Sequence, residues 1–152
     1  MKKTYIICHM AASVDGRIDC SMLTEIPGGN EYYETLDELS LTATLCGRVT
    51  AEFEMAEKGT FMPSSLESLN KEGFSRNTSA EKYSVVVDTK GCLLWKDNLC
   101  DGSALVIVTS EAVSKDYVNY LNAKGISWIA CGQNKIDLAK AVQILADEFK
   151  VD

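Results

Sequence analysis

The sequence predicts an α/β fold, with a mostly parallel central sheet flanked by helices in three layers. Three observations predict it. Short apolar runs rich in β-branched residues alternate along the chain with amphipathic stretches of helical period. The runs end in small, hydroxyl-bearing or charged residues, as strands do where they reach a ligand-binding edge. Helical stretches between successive runs provide the crossovers that parallel neighbours need, and these are expected to be right-handed.

Composition sets the bounds. With 152 residues, 46% hydrophobic and 24% charged, the chain has the makeup of one globular domain spanning 1–152. A net charge of −7 repels a nucleic-acid backbone, and no local basic patch offsets it. No apolar run approaches the roughly eighteen residues of a membrane span, and the Met-Lys-Lys start lacks a signal-type apolar core, so no membrane partner and a cytoplasmic location are expected. Cys8, Cys20, Cys46, Cys92, Cys100 and Cys131 form no CxxC pair, which fits reduced, partly buried thiols. With His9 the lone histidine, no metal centre is expected.

The opening run, Tyr5 to Met10, reads as a buried strand that passes through Ala11 and Ala12 into the turn Ser13-Val14-Asp15-Gly16. Small residues let a flat ring lie against the backbone there, and Gly16 permits a positive φ. A loop over Cys20–Gly29 follows, then a helix capped by Asn30 with Tyr32, Leu36 and Leu39 on one face and Glu31 and Glu34 near its positive end.

Leu41–Cys46 reads as a second strand running into Gly47-Arg48-Val49-Thr50-Ala51-Glu52. A strand-end glycine followed by Arg and Thr at a helix start groups N–H donors, a hydroxyl and a guanidinium in a way that suits a phosphate. It equally suits an ordinary helix start with an exposed arginine. Gly59–Lys82 is irregular, with a short helix expected between Ser65 and Lys71, and Lys71 and Arg76 within it and Lys58 just before it are candidates for a substrate phosphate or for a solvated surface.

Tyr83–Asp88 is a third strand with Thr89-Lys90-Gly91 as its polar exit, and Trp95 is assigned to the core. Ala104–Thr109 is a fourth strand ending in Thr109-Ser110. Ser114 caps a helix with the stripe Tyr117, Val118, Leu121, and Gly125 stands where a left-handed terminator belongs. Ile126–Cys131 is a fifth strand. Asp137 caps the last helix, whose Leu138, Val142, Leu145 and Phe149 form a core stripe.

Four motifs in this order resemble the dihydrofolate-reductase-like superfamily, and within it the reductase domain of bacterial riboflavin biosynthesis. Ala11-Ala12-Ser13-Val14-Asp15-Gly16-Arg17-Ile18 is similar to the family's small-residue strand end followed by Ser-x-Asp-Gly-Lys/Arg. Gly47-Arg48-Val49-Thr50-Ala51-Glu52 resembles the Gly-Arg-x-Thr-x-Glu turn. Val85-Val86-Val87-Asp88-Thr89 resembles the Val-x-Asp-Ser/Thr strand, and Val106-Ile107-Val108-Thr109-Ser110 completes the series. The resemblance implies a dihydrofolate-reductase-like three-layer fold and NADPH-dependent hydride transfer. It places Ala12 against the nicotinamide, Gly47, Arg48, Val49, Thr50 and Glu54 at the cofactor's phosphate and ribose side, and Thr89, Thr109 and Ser110 at the adenosine end. Ser13 and Asp15 would face the substrate as catalytic residues, with Asp15 positioning the proton donor. In the riboflavin branch the substrate is a small heterocyclic phosphate, a ribosylamino-pyrimidine, reduced to its ribitylamino form through an open-chain imine.

Two features depart from the family. Nothing after Phe149 supplies the further strand and Gly-Gly-Gly turn that cradle a pyrophosphate, which points to a chain truncated at its C-terminus. The segment Cys20–Leu39 lacks the Ser-x-Trp and arginine that riboflavin reductases turn towards substrate, leaving substrate identity open. A true dihydrofolate reductase fits less well, since Glu31–Glu38 has the look of a solvated acidic face. The alternative from another class is a non-catalytic nucleotide-binding or assembly module. If the final strand is missing, its neighbours expose an edge, and a homodimer is expected to cover it.

Overall fold

The computed structural model describes residues 4–18, 27 and 29–152. They fall into two compact units, Tyr5–Leu41 and one built on Thr42–Asp152. In chain order the elements are α1 (Gly29–Glu38), β1 (Ala43–Gly47), α2 (Arg48–Glu54), β2 (Gly73–Ser75), β3 (Tyr83–Val87), β4 (Leu99–Cys100), β5 (Ser103–Thr109), α3 (Lys115–Ala123), β6 (Ser127–Ala130) and α4 (Leu138–Phe149).

The larger unit holds a six-stranded, mostly parallel sheet in the order β1-β3-β5-β6-β2, with β4 paired to β5 off this path. β1, β3, β5 and β6 run parallel, whereas β2 is antiparallel to β6 and β4 antiparallel to β5. The near-continuous apolar runs of β3 and β5 follow from burial on both faces. Side chains alternate between them: Val86, Leu105 and Ile107 pack with Ala51 of α2 and with Tyr117, Val118 and Leu121 of α3. Val85, Val106, Val108 and Ile129 pack on the opposite face with Ala141, Leu145 and Phe149 of α4. α2 and α3 thus cover one face of the sheet and α4 the other.

Register is what builds the site. Gly47 pairs with Val87, Val87 with Val108, and Val108 with Ile129, so four carboxyl ends finish level. The next residues of the first three strands, Arg48, Asp88 and Thr109, therefore emerge side by side along one edge.

The caps of α3 and α4 follow the sequence reading. Ser114 accepts a hydrogen bond from the Tyr117 N–H, Asp137 accepts one from that of Lys140, and Gly125 takes φ +69° behind α3. Trp95 is buried, as expected.

Three expectations are corrected. Tyr5–Met10 forms no strand: its backbone is irregular, Tyr5 and Ile6 are largely exposed, and none of the six strands comes from it. A β-branched run becomes a strand only where a neighbour accepts its ladder bonds, so composition alone does not suffice. The helix expected between Ser65 and Lys71 is instead extended chain tied to the start of α3. The Leu69 N–H donates to the Val113 carbonyl and that of Lys115 to Glu67, both at 2.8 Å, and Ser68 bridges Ser114. Serine side chains offer the backbone local alternatives to a helix, which favours this outcome. The sheet is mostly parallel, as expected, and the short strands β2 and β4 add the antiparallel pairs. α1 starts at Gly29, which puts Asn30 inside the first turn rather than at the cap.

Most of the loop expected over Cys20–Gly29 lies outside the described residues. Cys8, Cys92, Cys100 and Cys131 are free thiols. No helix among the described residues is long and apolar enough to cross a membrane.

Candidate functional site

In the Tyr5–Leu41 unit, the turn holding the expected catalytic pair is closed on itself. Gly16, at φ +83°, donates its N–H to the Ser13 carbonyl at 2.9 Å, and the Ser13 N–H donates to the Arg17 carbonyl at 2.9 Å. Ser13 Oγ accepts the Arg17 N–H at 3.0 Å and donates to Asp15 Oδ1. Arg17 Nε stands 3.1 Å from Asp15 Oδ2, so both carboxylate oxygens have a partner, although the pair is well exposed. Ala12 is exposed, which leaves its backbone open to a flat ring. Behind this turn His9 stacks on Tyr32 with centroids 4.5 Å apart and donates from Nε2 to the Tyr32 carbonyl at 3.1 Å.

In the larger unit, β1 hands over to α2 at Gly47, whose extended backbone (φ −84°, ψ 168°) makes the turn into the helix without a side-chain cap. Arg48 Nη1 contacts Glu52 Oε2 at 2.6 Å, one turn along the helix surface. Thr50 is half-buried, while Val49 and Glu54 are exposed.

The third junction carries more order than the sequence reading gave it. Asp88, wholly buried at the end of β3, accepts N–H bonds from Cys92 (2.7 Å) and Leu93 (2.9 Å) on Oδ2 and so folds the Thr89–Leu93 loop back over itself. The Tyr117 hydroxyl stands 3.2 Å from the same oxygen and 3.0 Å from the Leu93 carbonyl, and it accepts the Trp95 indole N–H at 3.2 Å. Burial, then the charge of Asp88, pushes the Tyr117 hydroxyl far above the usual phenol range, so it remains a neutral donor. Thr109 Oγ1 and Ser110 Oγ both donate to the Thr89 carbonyl, at 3.2 and 2.9 Å.

These contacts bound a cavity of about 450 Å³ lined by Arg48, Val87, Asp88, Thr89, Lys90 and Cys92. Of the expected cofactor-binding residues, Arg48 and Thr89 meet here. Thr109 and Ser110 are buried behind Thr89, where their hydroxyls fix its peptide. Gly47, Val49, Thr50 and Glu54 belong to the adjoining junction and are not part of the wall. Arg76 is engaged elsewhere, donating to the Glu148 carbonyl at the end of α4 at 2.6 Å.

Val87, Asp88, Lys90 and Cys92 are the wall residues that sequence reasoning missed. Lys90 lay in the polar exit of the third strand, but only the level register of β1 and β3 reveals that this exit stands beside Arg48. Two cations and a hydroxyl-bearing residue around one cavity suit an anion of phosphate size. Burial and then the Asp88 charge raise the Cys92 thiol above the ordinary range, which disfavours its thiolate form. Searches against models of protein families, curated proteins and solved structures found nothing that matches this chain.

Proposed function

We propose that the chain is an NADPH-dependent reductase of the dihydrofolate-reductase-like superfamily, of the riboflavin-biosynthesis type, reducing a ribosylamino-pyrimidine 5′-phosphate to its ribitylamino form. The observation that carries the reading is the cavity at the carboxyl ends of β1 and β3, which joins Arg48, Thr89 and Lys90. That is the place where an open α/β sheet receives a ligand, and its two cations suit the phosphate on an adenosine ribose.

Arg48 and Lys90 neutralise the phosphate, and Thr89, its carbonyl pinned by Thr109 and Ser110, shapes the wall between them. When bound, the cofactor supplies a hydride. In the Tyr5–Leu41 unit, taken by itself, the exposed Ala12 backbone would accept a flat ring, and the Ser13–Asp15 hydrogen bond holds a proton suited to a substrate nitrogen.

Titration with NADPH, followed by its fluorescence, tests the reading. Binding at micromolar levels is expected, with Arg48→Ala and Lys90→Ala each weakening it by about tenfold, the scale of one charge-assisted hydrogen bond. Steady-state loss of NADPH absorbance with the pyrimidine phosphate tests the chemistry. Saturable binding without turnover would favour the non-catalytic nucleotide-binding module, and absence of binding removes both readings.

A further inference from the structure

We infer that Tyr117, a core residue of α3 outside the cavity wall, is a positioning residue for the β1–β3 cavity: it holds the Thr89–Leu93 loop in the shape that presents Lys90 to an anion. The inference rests on the anion site proposed above and names the side chain that organises it from behind.

Lys90 is the one exposed residue of Thr89–Leu93, and it stands between two fixed neighbours. Before it, the Thr89 carbonyl accepts Thr109 Oγ1 at 3.2 Å and Ser110 Oγ at 2.9 Å. After it, Gly91 is buried against the Tyr117 ring. A Cβ at Gly91 would lie 2.4 Å from Tyr117 Cδ1, so the backbone rests directly on the ring. The hydroxyl of the same tyrosine serves the end of the loop, donating to the Leu93 carbonyl at 3.0 Å and standing 3.2 Å from Asp88 Oδ2. That oxygen gathers the Cys92 and Leu93 N–H groups. A phenol has one proton to give, and the Trp95 indole N–H, donating to the hydroxyl at 3.2 Å, directs it away from Trp95 towards these two acceptors. Ring and hydroxyl thus fix two points of one short loop, and Tyr117 is wholly buried while doing so.

A cation on a loop held at both flanks loses less freedom when it meets its anion, which is how preorganisation raises affinity. Arg48 already faces the Glu52 carboxylate at 2.6 Å, whereas among the described residues no carboxylate pairs with Lys90. The placing of Lys90 therefore governs how strongly the cavity attracts negative charge.

Fluorescence titration of the full chain with NADPH tests this through a double-mutant cycle of Tyr117→Phe and Lys90→Ala. Phenylalanine keeps the ring and removes the hydroxyl. Alone it is expected to weaken NADPH by about fivefold, the scale of one hydrogen bond. In the Lys90→Ala chain it should weaken NADPH by less than about twofold, because the residue through which it acts is gone. Asp137→Ala, which removes a cap on the opposite face of the sheet, should leave the affinity unchanged although it lowers stability. Equal losses from Tyr117→Phe in both backgrounds, or Tyr117→Phe binding like the unaltered chain, overturn the inference and leave the anion site standing. Should Tyr117→Phe fail to fold, hydrogen exchange of the unaltered chain decides: the Cys92 and Leu93 amides are expected to exchange as slowly as the core amides of β5, and exchange at the rate of an exposed loop overturns the inference. Failure of the unaltered chain to bind NADPH overturns it together with the reading it rests on.

Discussion

Gly91 shows how much of the cavity wall depends on one missing methyl. It sits at φ +66°, and a Cβ there would lie 2.4 Å from Tyr117 Cδ1 and 2.7 Å from Val113 Cγ2. Gly102, at φ +79°, has nothing within 4 Å of the same position. Gly102→Ala is therefore expected to cost only the left-handed backbone, about 1–2 kcal/mol. Gly91→Ala adds overpacking against Tyr117 and should cost about 2–5 kcal/mol, while also weakening any ligand of the cavity. Urea denaturation of the two variants measures the difference, and equal losses would refute it. The residue scale also carries a pH effect. Asp116 accepts the Ser64 hydroxyl at 2.7 Å and the Ser65 N–H at 2.8 Å, and these bonds, the hydroxyl's first, hold its carboxyl below the usual range. A depressed carboxyl contributes at neutral pH and loses its contribution as pH falls through the folded-state value. The tether of the Ser64–Ser65 turn to α3 should thus persist at neutrality and release in acid, below the ordinary carboxylate range, with the Ser65 amide resonance reporting the step. Asp116→Asn should largely remove that step.

Elements buried on both faces were legible in the sequence because burial fixes their composition. β3, β5 and β6 matched apolar runs bounded by turns, and α3 matched its stripe and cap; α4 has its expected cap and buries Leu145 and Phe149, but Leu138 is exposed and Ala141 and Ala146 take the other buried positions. Ser114 and Asp137 each satisfy an N–H that would otherwise lack a partner, so Ser114→Ala and Asp137→Ala are each expected to lower stability by about 1 kcal/mol, a drop of a few degrees in Tm by calorimetry. Elements fixed by a neighbour rather than by their own pattern were not legible. Gly73-Phe74-Ser75 is a strand only because β6 offers its edge, and three residues display no period. Tyr5–Met10 has the composition of a strand and lacks the ladder. The site divides in the same way. Arg48 and Thr89 could be read as strand-end residues, but their meeting depends on the pairing of Gly47 with Val87, a fact of register. The role of Thr109 and Ser110 as struts beneath Thr89 depends on which way two hydroxyls point, and strand-end position does not determine that.

At the scale of the whole molecule, the distribution of burial separates the two units. Every buried residue among those described lies between Ala51 and Val151, and α1 has none. Both apolar clusters and the whole sheet belong to Thr42–Asp152, so that stretch has a core of its own on each sheet face. A chain of residues 42–152 is accordingly expected to unfold in a single cooperative transition, with helix and sheet signals lost together in circular dichroism. Its sheet ends at β1, a strand with no proline or charged residue to discourage further pairing, and with Leu45 half exposed. Unpaired N–H and C=O groups on such an edge are a template for a second copy. The 42–152 chain should therefore associate as concentration rises, and Leu45→Lys should hold it monomeric by setting a charge on the edge. Light scattering that finds the 42–152 chain monomeric at every concentration would remove β1 as the edge of association.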